Sequence, residues 1–351
     1  MIKLQHPLVI IFGAGASRGG LEGLSDVPPP VDGDFFDIAN QLVGHGTPKL
    51  AKKVLNDVWQ LYSKTNSIGL ENYYRDLETR AIIGEFAKTS NQPKDWQRRQ
   101  KDLEELIRRV YVHTTIKSVA GESNTVEPRL SEIHKNILKK LEKQDTIITF
   151  NYDLVIEESF SSAKLWNPAD GYGITTQGKT KGWTKRWLTD KKYKKGNKSY
   201  VQLLKLHGSL NWQSYPTGMA IRLKPKPYIV STRKGKIRFE KISILAPGWN
   251  KRIDKNPYKK FWRAARLQLE KCKTLIILGY SLPETDLLAQ ALLAEVVRSR
   301  VAKKNFLRYL YLADPNDQIK ERFIKLFTPA LGPHGNISKC HDINEFNQKL
   351  S

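Results

Sequence analysis

Five short polar clusters punctuate this chain, each closing an apolar run: Gly13-Ala14-Gly15-Ala16-Ser17, Asn151-Tyr152-Asp153, His207-Gly208-Ser209, Gly279-Tyr280-Ser281 and Asp314-Pro315-Asn316. Gly13, Ala14 and Gly15 let a backbone approach a diphosphate closely, and the Ser17 hydroxyl can donate to one. His207 ends an apolar stretch just before a glycine, and an imidazole exchanges protons near neutral pH. Asn151 offers an uncharged group able to hold a water or a sugar hydroxyl. Asp153, two residues on, either stabilises developing positive charge or anchors its loop. Together with Gly279, Tyr280, Ser281 and Asp314 these residues are polar strand ends that converge on one crevice. The dinucleotide fingerprint of ordinary dehydrogenases is incomplete. Arg18 stands where its third glycine belongs, and no acidic residue closes a second strand about 20 residues on.

The elements that must position these clusters follow from hydrophobic patterning. Runs at 7–12 (PLVIIF), 145–150 (DTIITF), 201–206 (VQLLKL), 274–278 (TLIIL) and 306–312 predict five buried strands. Helical periodicity fills 35–143, where Leu103, Leu106, Ile107 and Val110 recur at 3–4 spacing, as do Leu130, Ile133, Ile137, Leu138 and Leu141. Helices are also expected over 257–272, from 284 or 285 to about 301, and from about 317 to Phe327, with a loop and a short terminal helix after that. Strands alternating with helices predict an α/β fold, a doubly wound parallel sheet of Rossmann-like type whose ligands sit at the carboxyl ends of the strands. The main domain is expected over 1–34 and 144–351, a helical insert over 35–143, and a basic loop and hairpin insertion over 165–263. No internal repeat is present.

Charge is concentrated rather than spread. The 351 residues carry 59 Lys+Arg against 35 Asp+Glu, a formal net charge of +24. Residues 179–263 alone hold 24 basic and three acidic residues, with twelve aromatics interleaved. Such a segment seeks a polyanion, by phosphate contact and base stacking, or an acidic protein face. Only two cysteines occur, Cys272 and Cys340, too few for a disulfide framework or a four-thiolate zinc site. No apolar run is long enough to span a membrane, and the start carries no signal-peptide cleavage pattern. A cytoplasmic protein without a metal and without membrane attachment is expected.

Taken in order, GAGAS, TFNYD (Thr149 to Asp153), LHGS (Leu206 to Ser209) and GYSLPETD (Gly279 to Asp286) resemble the sirtuin-like superfamily. Within it, the resemblance is greatest to the bacterial sirtuin-like NAD-hydrolysing effectors of antiphage defence. The motifs extend over nearly the whole chain. The resemblance implies that Ala14, Gly15 and Ser17 line the NAD diphosphate and ribose. It implies that Asn151 binds the nicotinamide ribose and positions the attacking water, that His207 is catalytic, and that Gly279 and Ser281 hold the adenosine half.

Two departures matter. Protein-deacylating sirtuins carry a four-cysteine zinc module, whereas no cysteine lies between 207 and 271 here. Their acidic-Phe-Arg segment is replaced by VPPPVDGDFF. Water is then the expected acceptor, giving nicotinamide and ADP-ribose. Such an activity needs restraint, so a homo-oligomer or a partner is expected, and the resemblance suggests a HerA-type hexameric ATPase. The chain has no Walker phosphate loop of its own. Two other classes stay open: a nucleic-acid-binding sensor with a vestigial NAD site, and an NAD-dependent ADP-ribosyl transferase or deacylase.

Overall fold

The computed structural model describes residues 2–44, 48–62, 68–86, 92–118, 126–163, 166, 171–172, 176–177, 201–214, 221–223, 244–245, 253 and 257–350. Most of the basic 165–263 stretch, including Lys191, Lys192, Lys194 and Lys195, lies outside the described residues.

The chain opens with strand β1 (Leu8–Phe12) and helix α1 (Ala14–Gly20), followed by α2 (Phe35–Gln41), α3 (Pro48–Leu61), α4 (Leu70–Phe86) and α5 (Gln92–Thr115). A small pair, β2 (Ile116–Ser118) and β3 (Val126–Pro128), leads to α6 (Glu132–Leu138), β4 (Thr146–Thr149) and α7 (Val155–Ala163). Next come β5 (Thr176–Gln177), β6 (Gln202–Lys205), β7 (Trp212–Ser214) and β8 (Ile221–Leu223). The last part comprises α8 (Tyr258–Lys271), β9 (Thr274–Leu278), α9 (Leu287–Ala302), β10 (Leu307–Ala313), α10 (Asp317–Phe327), β11 (Leu331–Cys340) and α11 (Ile343–Leu350).

Six strands form one sheet in the order β11-β10-β9-β1-β4-β6, and every pairing in it is parallel. With its flanking helices this is the Rossmann-like α/β fold that the alternating pattern predicts. β1, β4 and β9 are buried along their whole length. That is why their sequences are continuous β-branched and leucine runs without polar alternation. All five expected strands are present, with ends within one residue of expectation. Of the hairpin character expected over 213–245 within the basic insertion, the antiparallel pair β7–β8 is seen; 224–243 lies outside the described residues.

The sixth strand is a correction. An irregular loop was expected after Phe327, yet residues 331–340 pair with β10 as β11. The segment reads LGPHGNISKC and is largely exposed. At a sheet edge one side of the ladder faces away from the sheet, so Gly and Pro are tolerated and no apolar run is needed.

Two hydrophobic cores result. The larger surrounds the sheet. The smaller is built by α2–α5, with Leu103, Leu106, Ile107 and Val110 of α5 at its centre. Ile137, Leu138 and Leu141, at the end of the expected helical segment, pack into the sheet core instead. Tyr152 and Leu210, both next to strand ends, belong to the smaller core. The Tyr111 and Tyr152 rings meet edge-on at 5.7 Å. The helical insert therefore rests directly on the carboxyl end of the sheet.

Candidate active site

The strand order reverses beside β1, and ligands of open α/β sheets bind where that happens. A cavity of about 910 Å³ opens there, within the roughly 300–1,000 Å³ range of small-molecule sites. Ala14, Gly15, Asn151, His207, Gly279, Tyr280, Ser281 and Asp314 all line it. Gly13, Ser17 and Asp153 do not; they stand behind its wall.

Two glycine turns interlock at the cavity floor. Gly13 N–H donates to the Leu278 carbonyl and Gly15 N–H to the Gly279 carbonyl, each at 3.0 Å. A Cβ on Gly13 would lie 2.4 Å from the Gly279 oxygen, and one on Gly279 only 2.1 Å from the Ala16 nitrogen. Gly279 also has φ +57°, in the left-handed region that favours glycine. Close backbone approach, with or without a diphosphate, thus requires glycine at both places.

Asn151 is held by what lies behind it. Its Nδ2 donates to the Gly13 carbonyl and to Ser17 Oγ, both at 2.9 Å. Ser17 in turn donates to Asp153 Oδ2 at 2.8 Å, and Asp153 Oδ1 accepts from Val155 N–H at 3.0 Å. A backbone carbonyl can only accept, so the amide nitrogen must face Gly13 and Oδ1 is left as the available acceptor. Ser17 and Asp153 therefore fix the orientation of Asn151 from a fully buried position.

His207 follows β6 and is 5% exposed. Its Nε2 lies 3.2 Å from Oδ2 of Asp286, a residue 1% exposed. Phe150 meets the imidazole edge-on at 5.1 Å. The same Phe150 stacks on Tyr280 at 4.3 Å, so one aromatic column supports the histidine and the wall beside it. Burial, with Asp286 and Glu71 nearby, pushes the Tyr280 phenol well above its ordinary value and keeps it neutral. Asp314 caps its own turn by accepting from Asn316 N–H at 2.9 Å. Burial raises its carboxyl above the ordinary range, against the pull of that N–H and of Lys320.

The remaining wall comes from residues that sequence reasoning missed. Asp32, Leu70, Glu71 and Tyr111 line the cavity from the helical insert and the loop before it, with Arg18, Phe150, Tyr152 and Asp286 from the sheet side. Glu71 N–H donates to Asp32 at 2.8 Å, and the Thr285 hydroxyl donates to the Glu71 carboxylate. Burial and Asp34 raise the Asp32 carboxyl, with the Glu71 N–H opposing. Asp286 carried a readable signal, an acidic residue just before an apolar helical run. Glu71 and Tyr111 carried none, because only packing of the insert brings them here. Among the described residues there is no group of three or more His, Cys, Asp or Glu side chains able to hold a metal, and no helix long and apolar enough to cross a membrane.

Comparisons with known proteins bear on this arrangement. Sir2 bound to a p53 peptide and NAD+ is 14% identical with a TM-score of 0.37, covering 98% of this chain and 91% of its own. Sir2Tm bound to a propionylated peptide is 14% identical with a TM-score of 0.38 and the same coverages, 98% and 91%. Sir2 in complex with the inhibitor EX-527, 2'-O-acetyl-ADP-ribose and a deacetylated p53 peptide is 13% identical with a TM-score of 0.38, again covering 98% and 91%. No curated protein matches. The family model described as SIR2-like domain matches residues 145–327, a stretch that holds Asn151, His207 and the Gly279 turn. With that match over more than half its length, the chain belongs to the SIR2-like family of NAD-dependent enzymes.

Proposed function

We propose that this chain hydrolyses the N-glycosidic bond between nicotinamide and ribose in NAD, releasing nicotinamide and ADP-ribose. The observation that carries this reading is the pairing of Asn151 and His207. They follow neighbouring parallel strands, β4 and β6, and line one cavity with both glycine turns. In this reading Ala14 and Gly15 pass along the diphosphate, with Gly13 behind them allowing the close turn; Gly279, Tyr280, Ser281 and Asp314 hold the adenosine half, and Ser17 and Asp153 act through Asn151.

Nicotinamide leaves as a neutral pyridine, so the departing nitrogen needs no general acid. The carbon–nitrogen bond breaks with its electron pair going to the ring, and positive charge builds at the ribose. Oδ1 of Asn151 orients a water whose oxygen bonds to the anomeric carbon. His207 takes the proton that this water releases, and solvent receives it afterwards. Positioning and proton transfer each contribute orders of magnitude to such a step. Water is favoured over an acyl-lysine because the four-cysteine zinc module and the acidic-Phe-Arg segment of protein-deacylating sirtuins have no counterpart in this sequence.

Uncontrolled NAD cleavage would drain a cell, so the reading extends to a regulated antiphage defence effector acting in the cytoplasm as a homo-oligomer. A HerA-like hexameric ATPase is the partner proposed. The net charge of +24, concentrated in 179–263, favours DNA or an acidic protein as a further ligand. In domain terms, 1–34 and 144–351 would form the NAD-binding domain, 35–143 the helical insert and 165–263 the basic insertion.

Purified protein, alone and with its genomic neighbour, is incubated with NAD, and nicotinamide and ADP-ribose are quantified. Equal release of both supports hydrolysis. ADP-ribose transferred to protein or nucleic acid would favour the transferase class, and no turnover in any combination would favour a vestigial site.

A further inference from the structure

The hydrolytic scheme above leaves one buried carboxylate in the cavity wall without a task. Asp286 precedes α9 and caps it, Oδ1 accepting from Ala289 N–H at 3.5 Å. A helix cap needs one acceptor. Asp286 is 1% exposed, and its second oxygen does something else. Oδ2 lies 3.2 Å from His207 Nε2 and accepts from the Tyr280 hydroxyl at 3.4 Å. An ionised carboxylate is costly to bury unless it is paired and hydrogen-bonded, so this orientation is what makes its burial tolerable.

Aromatic rings line the histidine on its other sides. Phe150 and Tyr152 follow β4, and Trp262 comes from α8; their rings lie 5.1, 6.3 and 6.5 Å from the imidazole. Tyr152 donates its hydroxyl to the Leu245 carbonyl at 2.8 Å, and burial raises that phenol and the Tyr280 phenol far above their ordinary values. The preceding residue, Thr285, is tied to Glu71 of α4, so the helical insert holds the loop that presents Asp286.

Resting on the NAD-hydrolase reading, we infer that Asp286 is a positioning residue: its Oδ2 accepts the Nε2–H of His207. That fixes the tautomer in which Nδ1 is the basic nitrogen, and it stabilises the imidazolium formed when the water proton arrives. The carboxylate stays ionised throughout, and the proton leaves from Nδ1 to solvent.

The test separates this role from helix capping. Asp286→Asn keeps a good cap but removes the charge. With His-labelled protein, nitrogen NMR reads the tautomer of His207, assigned by the signal that His207→Gln removes. The Nε2–H form in the parent, weakened in Asp286→Asn, supports the inference whether or not NAD is cleaved. An Nδ1–H form, or no change on substitution, overturns it. In turnover, Asp286→Asn lowers kcat about 10²-fold, the low end for positioned proton transfer, with KM unchanged. The acid limb of its kcat profile moves to lower pH, since the imidazolium has lost its counter-charge. Asp286→Glu restores part of the rate. If the parent cleaves NAD and Asp286→Asn matches it in kcat and pH profile, Asp286 has no part in the reaction. If the parent cleaves nothing, the hydrolase reading fails, and the NMR result still decides the pair.

Discussion

Lys205 and His207 stand two residues apart at the end of β6, and each meets a buried carboxylate. Lys205 Nζ lies 2.9 Å from Glu157 Oε1, with side chains 1% and 0% exposed. The same ammonium donates to the Asp153 carbonyl, and Glu157 also accepts from the Tyr172 hydroxyl at 3.0 Å. Neither Lys205 nor Glu157 lines the cavity. His207 and Asp286, nearly as buried, both line it. A buried carboxylate facing a basic side chain is thus common to the two pairs, and access to the cavity separates them. The first pair clamps the turn that carries Asn151-Tyr152-Asp153; the second faces the place where substrate would sit. His134 is a third case. It is fully buried, bonds Ser131 through Nδ1 at 2.8 Å and stacks on Phe12 at 5.0 Å. It is a core residue.

The sharpest break of this comparison is catalytic. Asn151→Ala and His207→Ala should each reduce NAD cleavage at least ~10³-fold, as expected for loss of positioning or proton transfer, with melting temperatures close to the parent. Unfolding of either variant would move that residue to the structural side.

Lys205→Met should do the opposite. Leaving Glu157 buried and unpaired should cost about 3–5 kcal/mol in urea unfolding, whereas Lys205→Met with Glu157→Leu should recover most of that loss. A single variant as stable as the parent would show that the pair clamps nothing.

Gly279→Ala should cost roughly 1–3 kcal/mol through backbone strain at its positive φ. It should also lower turnover, because the added carbon collides with the Gly15–Ala16 backbone.

A smaller effect is expected from His134, whose pKa burial pushes down to about 3. The folded state therefore favours the neutral ring. Its contribution is complete above the unfolded value near ~6.5 and falls with pH, by about 1.4 kcal/mol per unit, until the folded pKa is reached. Between pH 6.5 and 5, before most carboxylates titrate, stability of His134→Phe should decline less steeply than that of the parent.

Replacing Lys191, Lys192, Lys194 and Lys195 by Glu should change stability and NAD turnover least. DNA affinity should fall, with a shallower dependence on salt. No DNA binding by the parent at low salt would assign the charge to an acidic protein or to the oligomer.

Much of this was legible in sequence because continuous apolar β-branched runs have few places to go other than buried parallel strands. PLVIIF, DTIITF, VQLLKL and TLIIL became β1, β4, β6 and β9, and Asn151, His207, Tyr280 and Ser281 after them face one crevice because parallel strands all end on one side. Gly13 and Gly279 were legible as glycines, since any side chain there collides with backbone. The edge strand β11 was hidden because an edge needs no apolar run. What only the tertiary structure decided is which polar groups meet across long chain separations. The meeting of Asp286 with His207 and the wall of Glu71 and Tyr111 depend on how α9 and the insert pack against the sheet, and the retreat of Ser17 and Asp153 behind Asn151 depends on how α1 meets the turn after β4. Local pattern reports whether a residue is buried; it carries no record of which partner, or which cavity, the burial will bring.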